Sequence, residues 1–165
     1  MTVKLRMLKE KDIPFMLEWM KDKEQAAFFR FDPDNVTEET AAAYIRSAQR
    51  PDPDYHFAVT DEQDEYLGTI SLKQVDRENK HAEYAVSLRK CAIGTGVAAE
   101  ATRAILKYAF DELGLHRVYL NVFSDNLRAR RFYEKMGFVF EGEFQDHLFI
   151  RNTYKNLSWY AITEA

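Results

Sequence analysis

The spacing of apolar and polar residues divides the chain into strands and helices. Seven stretches predict strands: Val3 to Met7, His56 to Thr60, Tyr66 to Val75, Ala82 to Leu88, Arg117 to Phe123, Phe138 to Phe149 and Tyr154 to Ile162. Helical spacing comes between them. Asp12 stands as an N-cap before Pro14, with Phe15, Met16, Trp19 and Met20 on one face, and Thr37-Glu-Glu-Thr40 opens a second helix through Tyr44 and Ile45. Val97, Ala101, Ala104, Ile105 and Tyr108 form the apolar stripe of a long helix that Gly114 closes, and Asn126 to Met136 forms a shorter one ended by Gly137. Asp61 to Glu65 and Asp76 to Lys80 read as hairpin turns. Strand, turn, long helix and strand make one βαβ unit inside a mixed α/β sheet of about seven strands, mostly antiparallel.

No repeat or low-complexity segment interrupts this order, and Arg50-Pro-Asp-Pro-Asp54 is too short a break to separate domains. The expectation is a single domain spanning 1–165. Composition fits a packed core, with 46% hydrophobic and 14% aromatic residues. A formal net charge of -4, with the basic residues scattered, argues against nucleic acid as a partner. One cysteine excludes an internal disulfide framework, no run has the length of a membrane span, and Met1-Thr-Val-Lys-Leu-Arg6 has no apolar signal core. These features predict a cytoplasmic protein without a membrane partner.

The chemistry concentrates after the fourth strand. Glu83-Tyr-Ala-Val-Ser-Leu88 runs into Ile93-Gly-Thr-Gly-Val-Ala98, where two glycines open the long helix. Without side chains, Gly94 and Gly96 let a ligand approach the backbone, and the unpaired N–H groups of the first helical turn point at it. A pyrophosphate suits such a turn. Gly94-Thr-Gly96-Val-Ala-Ala99 also satisfies a dinucleotide fingerprint, with Asp125 after the next strand as a ribose ligand. Three antiparallel strands before the unit, and a single βαβ where that fold needs two halves, argue against it.

The same residues resemble the GNAT acyltransferase superfamily, whose hallmark is a Gln/Arg-x-x-Gly-x-Gly/Ala turn after the fourth strand. The resemblance covers nearly the whole chain and includes Asn126, Ala129, Tyr133, Lys135, Gly137 and Phe138, in register with the signature N-x-x-A-x-x-x-Y-x-K-x-G-F. It implies a single-domain fold with helices on both faces of the sheet and acetyl-CoA as co-substrate, with no metal. The pantetheine would lie on Val86, Ser87 and Leu88, and the pyrophosphate on Ile93, Gly94, Thr95, Gly96, Val97 and Ala98, with Asn126 nearby. Ile93 and Thr95 depart from the family's Gln/Arg and Lys/Arg, which predicts weaker CoA binding unless Arg89, Lys90 or Arg103 compensates. This departure also leaves open a CoA-binding sensor without turnover.

Acyl transfer to an amine needs a neutral nucleophile and a proton donor for the departing thiolate. Tyr133 sits at the position of the family's general acid, and it also belongs to an ordinary apolar stripe with Ala129, Phe132 and Met136. Glu83 is the candidate base or acceptor-positioning carboxylate, with His81 and His147 as substitutes. Asn126 also reads as a helix N-cap, and Cys91 has no patterned partner. On the acceptor side, Trp19, Phe28, Phe29, Phe31, Asp32, Asp34, Glu38 and Glu39 combine aromatic and acidic groups that suit a cationic amine. The stretch from Glu141 to Asn156 resembles spermidine N-acetyltransferases. Other segments resemble enzymes that acetylate an amino sugar on a nucleotide, and ribosomal-protein N-terminal acetyltransferases share the layout. The sequence therefore predicts an N-acetyltransferase for a small primary amine, polyamine-like or amino-sugar, with an N-terminal protein substrate as the alternative. By the same resemblance, a homodimer through the C-terminal strands is compatible with the chain.

Overall fold

A computed structural model describes residues 2–164. Met1 and Ala165, the ends of the expected domain, lie outside the described residues. One seven-stranded sheet organises the rest, in the order β1-β2-β3-β4-β5-β7-β6. The strands are β1 (Lys4–Met7), β2 (Tyr55–Thr60), β3 (Tyr66–Asp76), β4 (His81–Leu88), β5 (Arg117–Phe123), β6 (Val139–Ile150) and β7 (Thr153–Thr163). Every neighbouring pair is antiparallel except β4 and β5. Parallel neighbours need a crossover, and the long helix predicted between them supplies it.

Helices α1 (Ile13–Met20), α2 (Lys23–Ala26) and α3 (Glu38–Ala48) accompany one face of the sheet, and α4 (Val97–Lys107) and α5 (Leu127–Lys135) the other. Two apolar cores result. The larger joins Ile70, Leu72, Tyr84, Val97, Ile105, Leu120 and Tyr160, with α5 contributing the half-buried Ala129, Tyr133 and Met136. The smaller joins Met16, Trp19, Met20, Ile45, Ala58 and Tyr66, closed by a hydrogen bond of 2.9 Å from the Trp19 indole N–H to the Tyr66 hydroxyl.

Several boundaries follow from local chemistry. Thr37 caps α3, with its hydroxyl accepting from the Thr40 N–H at 3.2 Å. Asp12 departs from expectation: it precedes α1, but its carboxylate does not cap that helix. It accepts instead from the Lys9 N–H at 2.8 Å and pairs with Arg6 at 2.8 Å, because it is buried and a buried carboxylate needs a cationic partner. Gly68 answers a close approach of β4. A Cβ there would lie 2.5 Å from the Ser87 carbonyl oxygen, so the strands could not keep their spacing with any larger residue.

Candidate active site

Only His81↔Arg117, Ala82↔Val118 and Glu83↔Tyr119 pair between β4 and β5. Beyond Glu83 the two strands diverge, and residues 84–88 present a strand edge with no β5 partner. An extended amide-bearing chain can add to such an edge. Val86, Ser87 and Leu88 lie on it, followed by a short turn and Gly94 and Gly96 with φ of +78° and +91°. Only glycine adopts these angles without strain, and no side chain caps the N-terminus of α4. The wedge therefore leads from a free strand edge to free helix N–H groups.

The side chains that depart from the family's turn have structural work. Ile93 packs on the larger core, and the Thr95 hydroxyl donates back to the Ala92 carbonyl. The three compensating cations proposed from the sequence are engaged elsewhere. Arg89 lies over the Phe15 ring at 4.6 Å and bonds Glu18 at 3.0 Å and the Tyr66 carbonyl at 2.9 Å. Lys90 pairs with Glu24 at 3.1 Å, and Arg103 with Glu100 at 2.7 Å on the surface of α4. The cation that does reach the turn is Arg128. A Cβ built on Gly94 would lie 3.6 Å from its Nη2, and the exposed guanidinium has no acidic partner among the described residues. Sequence reasoning missed Arg128; the signal was its place two residues after Asn126, one turn of helix from the wedge. A cleft of about 360 Å³ borders the turn on another side, but Asp61 and Glu62 line it and would repel a diphosphate.

Strand alternation divides the candidate groups between the two faces. Tyr84 and Tyr133 lie with the larger core, where the Tyr133 ring meets Tyr84, Phe138 and Phe132 edge-on at 5.8, 5.9 and 5.6 Å. This aromatic enclosure pushes the Tyr133 phenol up to about 12, so it remains a proton donor at neutral pH. Its hydroxyl has no protein partner among the described residues. Glu83 lies on the opposite face, at the last β4–β5 pair, and is bonded to Lys73 at 3.0 Å. Asn126 caps α5 by accepting from the Ala129 N–H at 3.2 Å, the structural role its sequence position suggested. His81 is half-buried beside Tyr119 and 3.9 Å from Asp76, whereas His147 lies on exposed β6 against Phe144. His81 lies at the first β4–β5 pair, before the strands diverge. Cys91 is exposed, and no group of three or more metal-ligating side chains occurs among the described residues.

The acceptor-side residues separate as well. Trp19 is buried beneath Phe29, edge-on at 5.7 Å, so it supports the wall without facing a ligand. Phe29 stacks on Phe31 at 5.0 Å, and Phe28 and Phe31 remain exposed beside exposed Asp32, Asp34 and Glu38. Glu39 is bonded to Arg46. No helix among the described residues is long and apolar enough to cross a membrane.

A family model described as an acetyltransferase (GNAT) domain matches residues 2–139. A spermidine N(1)-acetyltransferase of Vibrio cholerae is 26% identical over 93% of this chain and 88% of its own. A putative ribosomal N-acetyltransferase of Bacillus subtilis is 34% identical over 58% of this chain and 52% of its own. Among solved structures, a spermidine N-acetyltransferase chimera from Vibrio cholerae and hSSAT superposes with a TM-score of 0.88 at 25% identity, covering 99% of this chain and 96% of that one.

Proposed function

The chain belongs to the acetyltransferase (GNAT) family and is an N-acetyltransferase that uses acetyl-CoA, and from that premise we propose that its acceptor is a polyamine, acetylated at a primary amine in the β4–β5 wedge. The observation that supports it is the wedge itself, at whose last strand pair Glu83 lies on the same face of the sheet as α1 and α3 while Tyr133 packs on the other. Acetyl-CoA supplies the activated acyl group. Within this reading the free β4 edge holds the pantetheine, and the Gly94 to Ala98 turn and Arg128 hold the pyrophosphate. Tyr133 donates the proton that the leaving thiolate takes up. Glu83, paired with Lys73, receives the amine's proton directly or through water.

Two features support a cationic acceptor. Exposed Phe28 and Phe31 stand beside Asp32 and Glu38, so aromatic faces and carboxylates are both available to ammonium groups, whereas Asp34 already lies 3.9 Å from Lys23. The relative that spans most of the chain is named for spermidine. Higher identity to a ribosomal N-acetyltransferase, over little more than half of the chain, favours a peptide N-terminus as the second reading.

A thiol-release assay with spermidine, an amino-sugar nucleotide and an N-terminal peptide tests the acceptor. The expected result is the highest kcat/KM for spermidine. A peptide or sugar nucleotide that exceeds it by about tenfold, roughly 1.4 kcal/mol of differential transition-state stabilisation, would overturn the polyamine reading.

A further inference from the structure

The aromatic segment on the acceptor face contributes little to either core, yet it is fastened at two points by residues distant in sequence. Arg30 bonds Asn121 of β5. At the tip of the β6–β7 hairpin, Arg151 donates from Nη2 to the carbonyls of Ala26 at 2.6 Å and Phe29 at 2.9 Å, and from Nη1 to that of Phe31 at 3.4 Å. One guanidinium thus gathers the end of α2 and both stacked phenylalanines. The planar fork of arginine spreads its donors over three nitrogens at fixed angles and so spans carbonyls that do not converge; the three donors of a lysine ammonium all start from one nitrogen.

The backbone at the tip gives independent support. Arg151 and Asn152 have φ of +48° and +65°, the left-handed pair of a tight hairpin turn. Asn suits that conformation. Arg does not, and nothing in the turn geometry calls for it, so its side chain is the reason for its presence.

We propose that Arg151 is a positioning residue for the amine acceptor, holding the 26–31 segment so that Phe28 and Phe31 form a fixed wall beside the wedge. The proposal rests on the acceptor side assigned above and does not depend on which amine is used. It touches neither the acyl donor nor the reacting atoms. Loss of the latch therefore lowers acceptor affinity and leaves the chemical step intact once amine saturates.

Steady-state kinetics of Arg151→Ala and Arg151→Lys, with thermal melts and amide hydrogen exchange of the full chain, test it. Whichever amine of the panel the parent enzyme turns over best is the acceptor, so failure of the polyamine reading shows in the parent before any variant is made. For Arg151→Ala the expected result is a rise of about tenfold in amine KM, with kcat and acetyl-CoA KM unchanged and faster exchange in 26–31 alone. Arg151→Lys recovers part of the loss. An unchanged amine KM in the folded variant overturns the proposal. So does a parallel rise in acetyl-CoA KM, or failure of both variants to fold, since each would make Arg151 a support of the whole fold.

Discussion

The two faces of the sheet at the β4–β5 wedge are built differently. On the face of α4 and α5, the residues proposed to receive the acyl donor come from one stretch of chain between Tyr84 and Phe138, where Ile93, Val97 and Tyr133 pack on a large apolar core and Gly94 to Gly96 stay exposed. On the opposite face, α1, the aromatic segment, β5 and the tip of the β6–β7 hairpin meet through polar ties. Arg89 with Glu18, Arg30 with Asn121 and Arg151 with three carbonyls join residues 71 or more positions apart. Dense apolar packing fixes geometry to a fraction of an ångström, whereas polar ties over an exposed segment fix position but leave shape adjustable. The proposed donor side is thus held by packing, and the aromatic segment of the proposed acceptor side by a few long-range contacts that can change one at a time.

The sharpest break in that contrast comes from Tyr133→Phe. The phenol hydroxyl bonds no described protein group, so its removal leaves the packing and the melting temperature nearly unchanged. As the general acid it should lower kcat by about 100-fold or more, with acetyl-CoA binding retained. Since burial holds the phenol up to about 12, the parent's kcat should show no alkaline fall from this group below about pH 10. A kcat within threefold of the parent would return Tyr133 to a purely structural role.

Arg128→Ala asks whether the donor side, for all its packing, also needs one free cation. A charge-assisted contact to a pyrophosphate contributes about 1.5–3 kcal/mol, so acetyl-CoA KM should rise about tenfold or more. Amine KM should stay constant. A rise in amine KM would show that the two faces are not separable at the wedge. Glu83→Gln has a smaller effect, about fivefold in kcat near pH 7, because an amine already deprotonated at higher pH needs no base. The loss should fade as pH is raised; a deficit constant with pH would make Glu83 a partner for Lys73 and nothing more.

The same contrast explains what the sequence revealed. Strand β5 and the capped starts of α3 and α5 were legible because periodicity and capping are local, as was the glycine turn at Gly94 and Gly96 that opens α4. Which face of β4 carries Glu83 was not legible. It depends on the register Lys73↔Glu83 and Glu83↔Tyr119, and alternation alone gives two equal choices. Arg89 looked available for phosphate by proximity in sequence, but the path of α1 past it turned it toward Phe15 and Glu18. Arg128 and Arg151 went unnoticed for the converse reason: the Gly94 turn that the first approaches and the 26–31 segment that the second bonds are brought near only by the folded sheet.

The smallest effect distinguishes the faces by pH. Each has a tyrosine in a polar contact: buried Tyr84 with Thr102 at 2.8 Å beneath α4, and half-buried Tyr44 of α3 with His56 at 2.8 Å and Ser71 at 3.4 Å. Only the second contains an imidazole. Burial holds His56 below the ordinary imidazole value, the more so for the charge of Lys73 and despite that of Asp54. As pH falls, the unfolded chain therefore takes up this proton first. The stability His56 contributes is complete above about pH 6.5 and is lost as pH falls from there through its folded-state value. Melting the parent and His56→Gln at pH 7.5 and 5.5 isolates this contribution, because the other titrating groups are common to both. The parent should lose a few degrees more than the variant, at about 2–4 °C per kcal/mol for a chain of this length. Tyr84→Phe should lower the melting temperature equally at both values, since burial holds that phenol well above its usual range. Equal pH sensitivity in the parent and His56→Gln would show that His56 titrates alike in the folded and unfolded chain, and the acceptor face would then have no acid-sensitive support of its own.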